Sequence, residues 1–362
     1  MKELHGEGKI YLWLDSFNLE RQEKNKLLKS AGSAKRLLSD LDEVFNGVFK
    51  GEHSSVLNAM RASLCDGGEY FRRFVDKLSE RGLEPIPYPD ERYPNALKTL
   101  ANPPLVLYAK GNLSLLTDDL FCIVGSRKTG ATTMKTTAKI AQTLSERLTI
   151  LTGVADGGDY ASIEGALKGT KKIVCLAAGG YDAVPKTNDL LPQVQKYGLL
   201  LTAHPYFTPV RSFSYGERNE LLSALASGAL VVSAGEKSGA LITANYIKKQ
   251  NKPLFALPYP PESYTGAGCN ALIKEGAYLT ETAEDIFQKL GVQAPEKTTN
   301  ELPLTDNERK AYELLQTETE LPVSIIAQKT GLPPYLIGGV IASLEIKGLV
   351  VRTGGGRVCL VR

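Results

Sequence analysis

The chain has 362 residues, 43% of them hydrophobic and 23% charged, with a formal net charge of +3. That length accommodates two or three domains with at least one core that needs no cross-links, and so small a net charge confines any nucleic-acid contact to a local basic patch. Five scattered cysteines (Cys65, Cys122, Cys175, Cys269, Cys359) form no C-x-x-C pair, and no run of about 18 apolar residues occurs, which argues against a zinc site, a disulfide framework and a membrane span.

In chain order, residues 1–82 are expected to form a small helical domain: from Ile10 to about Gly82 the apolar residues recur three and four apart between short Gly or Ser breaks. The first thirty residues mix Asp15, Glu20 and Lys24 into the apolar pattern, so no signal peptide is expected and the location is read as cytoplasmic. Residues 83–120 form a proline-rich connector, with Glu84-Pro-Ile-Pro-Tyr-Pro89, Tyr93-Pro94 and Asn102-Pro-Pro104, too dense in proline for a helix interior or a central strand; one short strand is expected at Leu105 to Tyr108.

Residues 121–290 alternate short apolar runs with helical patterns. The runs are Phe121–Val124, Leu148–Leu151, Ile173–Leu176, Leu199–Leu201, Leu230–Val232 and Leu254–Leu257. Continuous apolar strands separated by helices predict an α/β fold, a Rossmann-like, doubly wound, mostly parallel sheet covered on both faces. Residues 291–301 are polar, contain Pro295 and read as a linker. Residues 302–362 read as three short helices, near Asp306–Leu315, Val323–Lys329 and Pro334–Lys347, closed by a Gly-rich hairpin at Thr353–Gly356, the pattern of a winged-helix domain.

The first core strand ends in Val124-Gly-Ser-Arg-Lys-Thr-Gly130 and leads into a helix running to about Glu146. Gly125 permits a tight turn, Ser126 and the free N–H groups of the helix start suit phosphate oxygens, and Arg127 and Lys128 add positive charge. The same letters also fit a plain turn with two solvated cations. The loop lacks the middle glycine of G-x-G-x-x-G and has no acidic residue about 20 positions on, and the chain has no G-x-x-x-x-G-K-[ST]. No dinucleotide, ATP, other cofactor or metal is therefore expected.

Several blocks together resemble the DprA/Smf (DNA-processing A) family in order and spacing: Tyr93-Pro94 with Asn102-Pro-Pro104, Ile123-Val-Gly-Ser-Arg-Lys128, Thr152-Gly-Val-Ala-Asp-Gly-Gly-Asp159, Gly216-Glu-Arg-Asn219, Ser238-Gly-Ala-Leu-Ile-Thr-Ala244 and Gly268-Cys-Asn-Ala-Leu-Ile273 before Gly276-Ala277. The helical start, of the sterile-alpha-motif or helix-hairpin-helix kind, and the winged-helix tail occupy that family's usual places. The resemblance implies a non-enzymatic homodimer that binds single-stranded DNA without ATP and delivers it to the RecA recombinase in natural transformation or related recombination. Carried over by motif, the DNA- or phosphate-binding residues are Gly125, Ser126, Arg127, Lys128, Arg218, Asn219, Lys237 and Ser238. No residue is assigned a catalytic role.

One departure from the family pattern bears on affinity. Where the family has Ala-Arg-Gly-Ile-Asp followed by a histidine, this chain has Ala155-Asp156-Gly157-Gly158-Asp159 and then Ile163-Glu164, and an acid at position 156 repels a phosphodiester. Asp159 is expected to start or cap the following helix. His204, the lone core histidine, sits beside Pro205 and reads as structural. Tyr206, Phe207, Phe213 and Tyr215 interleave with Arg211 and Arg218, a pattern that fits either base stacking or packing of a loop on the sheet. In the tail, the helix Pro334–Lys347 offers mainly Tyr335 and Ser343 to a duplex, with Arg352, Arg357 and Arg362 near the wing, so protein contact or plain packing is favoured there over groove reading. The competing function is that of a nucleotide binder, or a relative of the nucleoside-monophosphate phosphoribohydrolases using the same phosphate loop; the stretch Ser238–Tyr246, however, carries no carboxylate for general acid work.

Overall fold

The computed structural model describes residues 6–295, 304–318 and 320–360, which fall into two compact units, Met1–Pro295 and Glu296–Arg362. Most of the expected linker 291–301, the first two residues of the expected tail and Arg362 lie outside the described residues.

The larger unit begins with six helices, Glu7–Asp15, Arg21–Ala31, Ala34–Ser39, Leu41–Phe49, Ser54–Cys65 and Glu69–Glu80. Arg21–Ala31 opens with a capping box between Glu20 and Glu23 and stops at Gly32, which takes the left-handed conformation that ends helices cheaply. Trp13 is fully buried among these helices and its indole N–H donates to Ser63 Oγ at 2.9 Å, so the largest side chain of the cluster leaves no polar group unpaired. The cluster also includes Leu105, Val106 and Tyr108, so the structure does not separate residues 1–82 from the sheet. The junction is polar as well as apolar: Asp15 accepts from Lys24 Nζ at 2.8 Å and from the Tyr108 hydroxyl at 2.7 Å.

The sheet has nine strands: β1 Glu84–Pro87, β2 Val106–Gly111, β3 Leu120–Gly125, β4 Thr149–Thr152, β5 Ile173–Ala177, β6 Leu199–Thr202, β7 Gly228–Ser233, β8 Leu254–Ala256 and β9 Tyr278–Leu279. They lie in the order β1-β2-β6-β5-β4-β3-β7-β8-β9, antiparallel from β1 to β6 and parallel from β6 onward. The six apolar runs of the core are β3 to β8, and their near-complete burial on both faces explains why they read as unbroken hydrophobic stretches. The proline pattern predicts no strand at 84–87, yet β1 forms there because at the edge of a sheet a missing N–H is tolerated, and β1 pairs with β2 alone.

Helices cover both faces. Ala131–Leu144, Gly158–Lys168 and Ala283–Leu290 contribute Ile140, Leu144, Ile163 and Phe287 to one core, while Ser214–Leu225, Ala240–Lys249 and Ala267–Lys274 contribute Leu222, Ile247 and Leu272 to the other. The helix after β3 and the helix after β7 therefore leave neighbouring strands toward opposite faces. Their divergence opens a crevice at the carboxyl ends of β3 and β7, the place where ligands of doubly wound sheets bind.

The smaller unit packs helices Asp306–Thr317, Val323–Thr330 and Pro334–Ile346 against a three-stranded antiparallel sheet, β10 Glu320–Pro322, β11 Val350–Thr353 and β12 Arg357–Leu360, in the order β10-β12-β11. Its core includes Leu315, Ile326, Ile341, Leu344 and Val358. Glu308 caps the first helix by accepting from the Thr305 amide and also accepts from Ser343 Oγ and Lys347 Nζ, which holds its carboxyl down to about 2. Ser343 is thus committed inside this unit rather than presented to a duplex, and Arg352 is paired with Glu345 at 3.1 Å.

Candidate functional site

The crevice at β3 and β7 is a cavity of about 470 Å³ whose lining includes every residue assigned from the motifs: Gly125, Ser126, Arg127, Lys128, Arg218, Asn219, Lys237 and Ser238. It is built from a local irregularity. The pairing of β3 with β7 slips between Val124 and Gly125, so that Gly125 lies opposite Ser233 and the Ser126 amide donates to the Ser233 carbonyl at 2.8 Å. Gly125 and Gly158 pack backbone to backbone, and a methyl on either would overlap the other, which accounts for glycine at both.

The helix start after β3, expected to offer free N–H groups, does not reach this cavity. The Ser126 amide is spent on β7, the Ser126 carbonyl accepts from Thr129 and Gly158, and the helix after β3 starts only at Ala131, outside the cavity lining. The helix start after β7 does line the cavity, at Ser238, Gly239 and Ala240, which places the positive end of Ala240–Lys249 there.

The floor is a buried ion pair. Arg218, 8% exposed, faces Asp159 across 3.6 Å and also donates to the Leu176 carbonyl at 3.3 Å. Gly153 makes room for the pair, since a side chain there would overlap the Arg218 guanidinium. Burial pushes the Asp159 carboxyl up, Arg218 opposes that shift, and the amides of Ala155 and Gly125 oppose it further. Asp159 stands in the first turn of Gly158–Lys168 as expected, but its main partner is Arg218 rather than the helix end. Asn219 is buried too, its side-chain amide donating to the Gly239 carbonyl at 3.1 Å and so fixing the helix start after β7.

The rim is different. Arg127, Lys128 and Lys237 are exposed, and none has a carboxylate partner among the described residues. The Arg127 guanidinium lies over the Tyr215 ring at 4.8 Å. Tyr264, 80% exposed, stands at the cavity edge, and two buried polar atoms of the lining, Arg218 Nε and Thr243 Oγ1, have no hydrogen-bond partner. Thr243 lies within the quoted Ser238–Ala244 block, but nothing in its sequence context marked it; Tyr264 had no signal beyond being aromatic.

The four aromatic residues divide. Tyr206 stacks on Phe74 with ring centres 5.8 Å apart, lies under the Arg81 guanidinium at 4.1 Å and meets Phe207 edge-on, so this pair packs the loop against the helix Glu69–Glu80. Tyr215 faces the cavity, while Phe213 lines a separate hollow beside the first helices. His204 lines that second hollow, and burial lowers its imidazole to about 4, consistent with a neutral structural histidine. Asp156 is exposed and lies outside the main cavity, on a hollow beyond the Arg127–Tyr215 pair.

Among the described residues, no group of three His, Cys, Asp or Glu side chains is placed to hold a metal, and the one carboxylate lining the cavity is held by Arg218. The arrangement can bind a polyanion along its rim.

Residues 84–291, more than half of the chain, match the family described as DNA recombination-mediator protein A. The DNA processing protein DprA of Bacillus subtilis is 33% identical over 222 residues, 60% of this chain and 75% of that protein. Among solved structures, DprA of Streptococcus pneumoniae superposes with a TM-score of 0.64 at 26% identity, covering 77% of this chain and 97% of that one. A Helicobacter pylori DprA structure, described for its single-stranded DNA binding mode, gives a TM-score of 0.52 at 26% identity over 57% of this chain and 95% of that one. With the motif residues gathered in one crevice of a doubly wound sheet, this chain belongs to the DNA recombination-mediator protein A family, the DprA/Smf family its motifs resemble.

Proposed function

We propose that this chain binds single-stranded DNA at the β3–β7 crevice and passes the strand to the RecA recombinase, acting in the cytoplasm as a homodimer, without ATP and without catalysing a reaction. The observation that carries the reading is an exposed basic rim, Arg127, Lys128 and Lys237, on the same cavity as the helix start at Ser238–Ala240. Phosphates along a strand supply the negative charge that this rim lacks. The single-stranded DNA binding named for the Helicobacter pylori relative supports the same choice of ligand. The tail's three helices and three-stranded sheet suit a winged-helix domain, and with Ser343, Lys347 and Arg352 engaged within it we assign it to protein contact rather than groove reading.

The test is titration of a fluorescent oligo-dT of a few tens of nucleotides at two salt concentrations, beside the matching duplex and the Arg127→Ala/Lys237→Ala variant. Preferential single-strand binding, weakened by salt and much reduced in the variant, is the expected result. Absence of binding at low salt would overturn the reading and direct attention to free nucleotides as ligands of the same loop.

A further inference from the structure

Beyond the Arg127–Tyr215 pair the crevice continues into a second hollow of about 280 Å³, which shares Arg127, Ala155, Tyr215 and Arg218 with the first. The volume falls just below the roughly 300–1,000 Å³ of small-ligand sites, which suits one ring system rather than a whole nucleotide. Its remaining walls are mostly small and apolar, including Val154, Ala177, Ala178, Val184 and Pro185. Asp156 is the one carboxylate lining it, exposed and without an ion pair or hydrogen bond among the described residues.

Arg127 and Arg218 lie on the side shared with the first cavity and suit the flanking phosphate, while the apolar walls suit the faces of a nucleobase, whose polar edge can meet Asp156. The edge decides which base. Guanine places two donors, N1–H and the N2 amino group, side by side, the arrangement a carboxylate accepts in bidentate fashion. Thymine offers one N–H flanked by two carbonyl oxygens, while cytosine and adenine set an amino group beside an unprotonated ring nitrogen, so each brings a lone pair against Asp156. Resting on the single-strand reading above, we propose that this hollow is a nucleobase subsite and that Asp156 makes it select guanine.

The experiment is a competition, read by fluorescence anisotropy, in which the full chain holding labelled oligo-dT is challenged with unlabelled oligomers of equal length. These are oligo-dT alone or oligo-dT carrying isolated dG, dA, dC or deoxyinosine, the last lacking only guanine's N2 amino group. Expected is about tenfold stronger competition by the dG oligomer than by oligo-dT, with deoxyinosine between them. Asp156→Asn should erase the dG preference and strengthen binding of plain oligo-dT, because a negative charge beside the strand is removed, while its melting curve overlays that of the unsubstituted chain. Equal competition by all oligomers, or a dG preference that survives Asp156→Asn, overturns the base assignment while leaving the single-strand reading intact. Failure to hold oligo-dT or any competitor overturns both.

Discussion

The floor and the rim of the crevice draw on the same motif blocks yet differ in kind. On the floor, Arg218 is buried against Asp159 and under Gly153, and Asn219 is tied to the Gly239 carbonyl; on the rim, Arg127, Lys128 and Lys237 stand in solvent with no carboxylate partner among the described residues. An arginine in water keeps its charge available to a ligand. A buried arginine has already committed most of its charge to compensating its own desolvation, and removing its partner leaves an uncompensated ion. The motif blocks therefore hold two kinds of residue, one that shapes the cavity and one that leaves its charge open to a ligand.

The largest loss is expected at the floor. Asp159→Ala should cost about 3–5 kcal/mol of stability in a urea titration, because Arg218 is left buried and unpaired. Replacing both partners with leucine should cost much less than the sum of the two single changes, and additive losses would show that the pair is not coupled. A smaller loss, about 1–3 kcal/mol, is expected of Gly153→Ala, which crowds the guanidinium without removing a charge.

At the rim, Arg127→Ala with Lys237→Ala should leave the urea midpoint within about 0.5 kcal/mol of its original value. It should nevertheless flatten the dependence of log affinity on log salt by up to about 1.4, since each phosphate neutralised on a single strand contributes about 0.7. A large stability loss in that variant would dissolve the distinction between rim and floor.

The other unit responds to pH with the opposite sign. Glu308 is held at about 2 by Lys347, Ser343 and Thr305, so its contribution to stability is present above its ordinary value of 4.5 and is lost as the pH falls from there through 2. Asp159, raised by burial, contributes in the opposite sense, its stabilisation being present below its ordinary value of 3.8 and lost as the pH rises from there through its elevated value. Hydrogen exchange across 306–346 should show Glu308→Gln flattening the acid limb of the smaller unit.

The strands β3 to β8 were legible because burial on both faces leaves unbroken apolar runs, a signal that survives without any partner being known. The strands β1 and β9 were not: two prolines disguise the first, and the second is two exposed residues long. In the crevice, the identities of the lining residues were legible and their environments were not. Whether Arg218 is a surface charge depends on Gly153 and Asp159, which follow a different strand, and whether the helix start after β3 reaches the cavity depends on a register slip against β7. Both are long-range facts. The orphaned Thr243 hydroxyl belongs to the same class, since a threonine in a helix pattern says nothing of what its oxygen fails to meet.

Strand β1 also settles how the sheet ends. Residues two apart in a strand point their N–H groups to the same side, and the Tyr88 amide donates inward to the Leu105 carbonyl at 2.8 Å, so the even-numbered positions serve β2 and the odd-numbered ones face outward. The outward positions of its interior are Pro85 and Pro87, which have no N–H to give. That margin of the molecule therefore offers an incoming chain acceptors without donors, and a further strand finds only half a ladder to bind, which makes this flank a poor seed for aggregation.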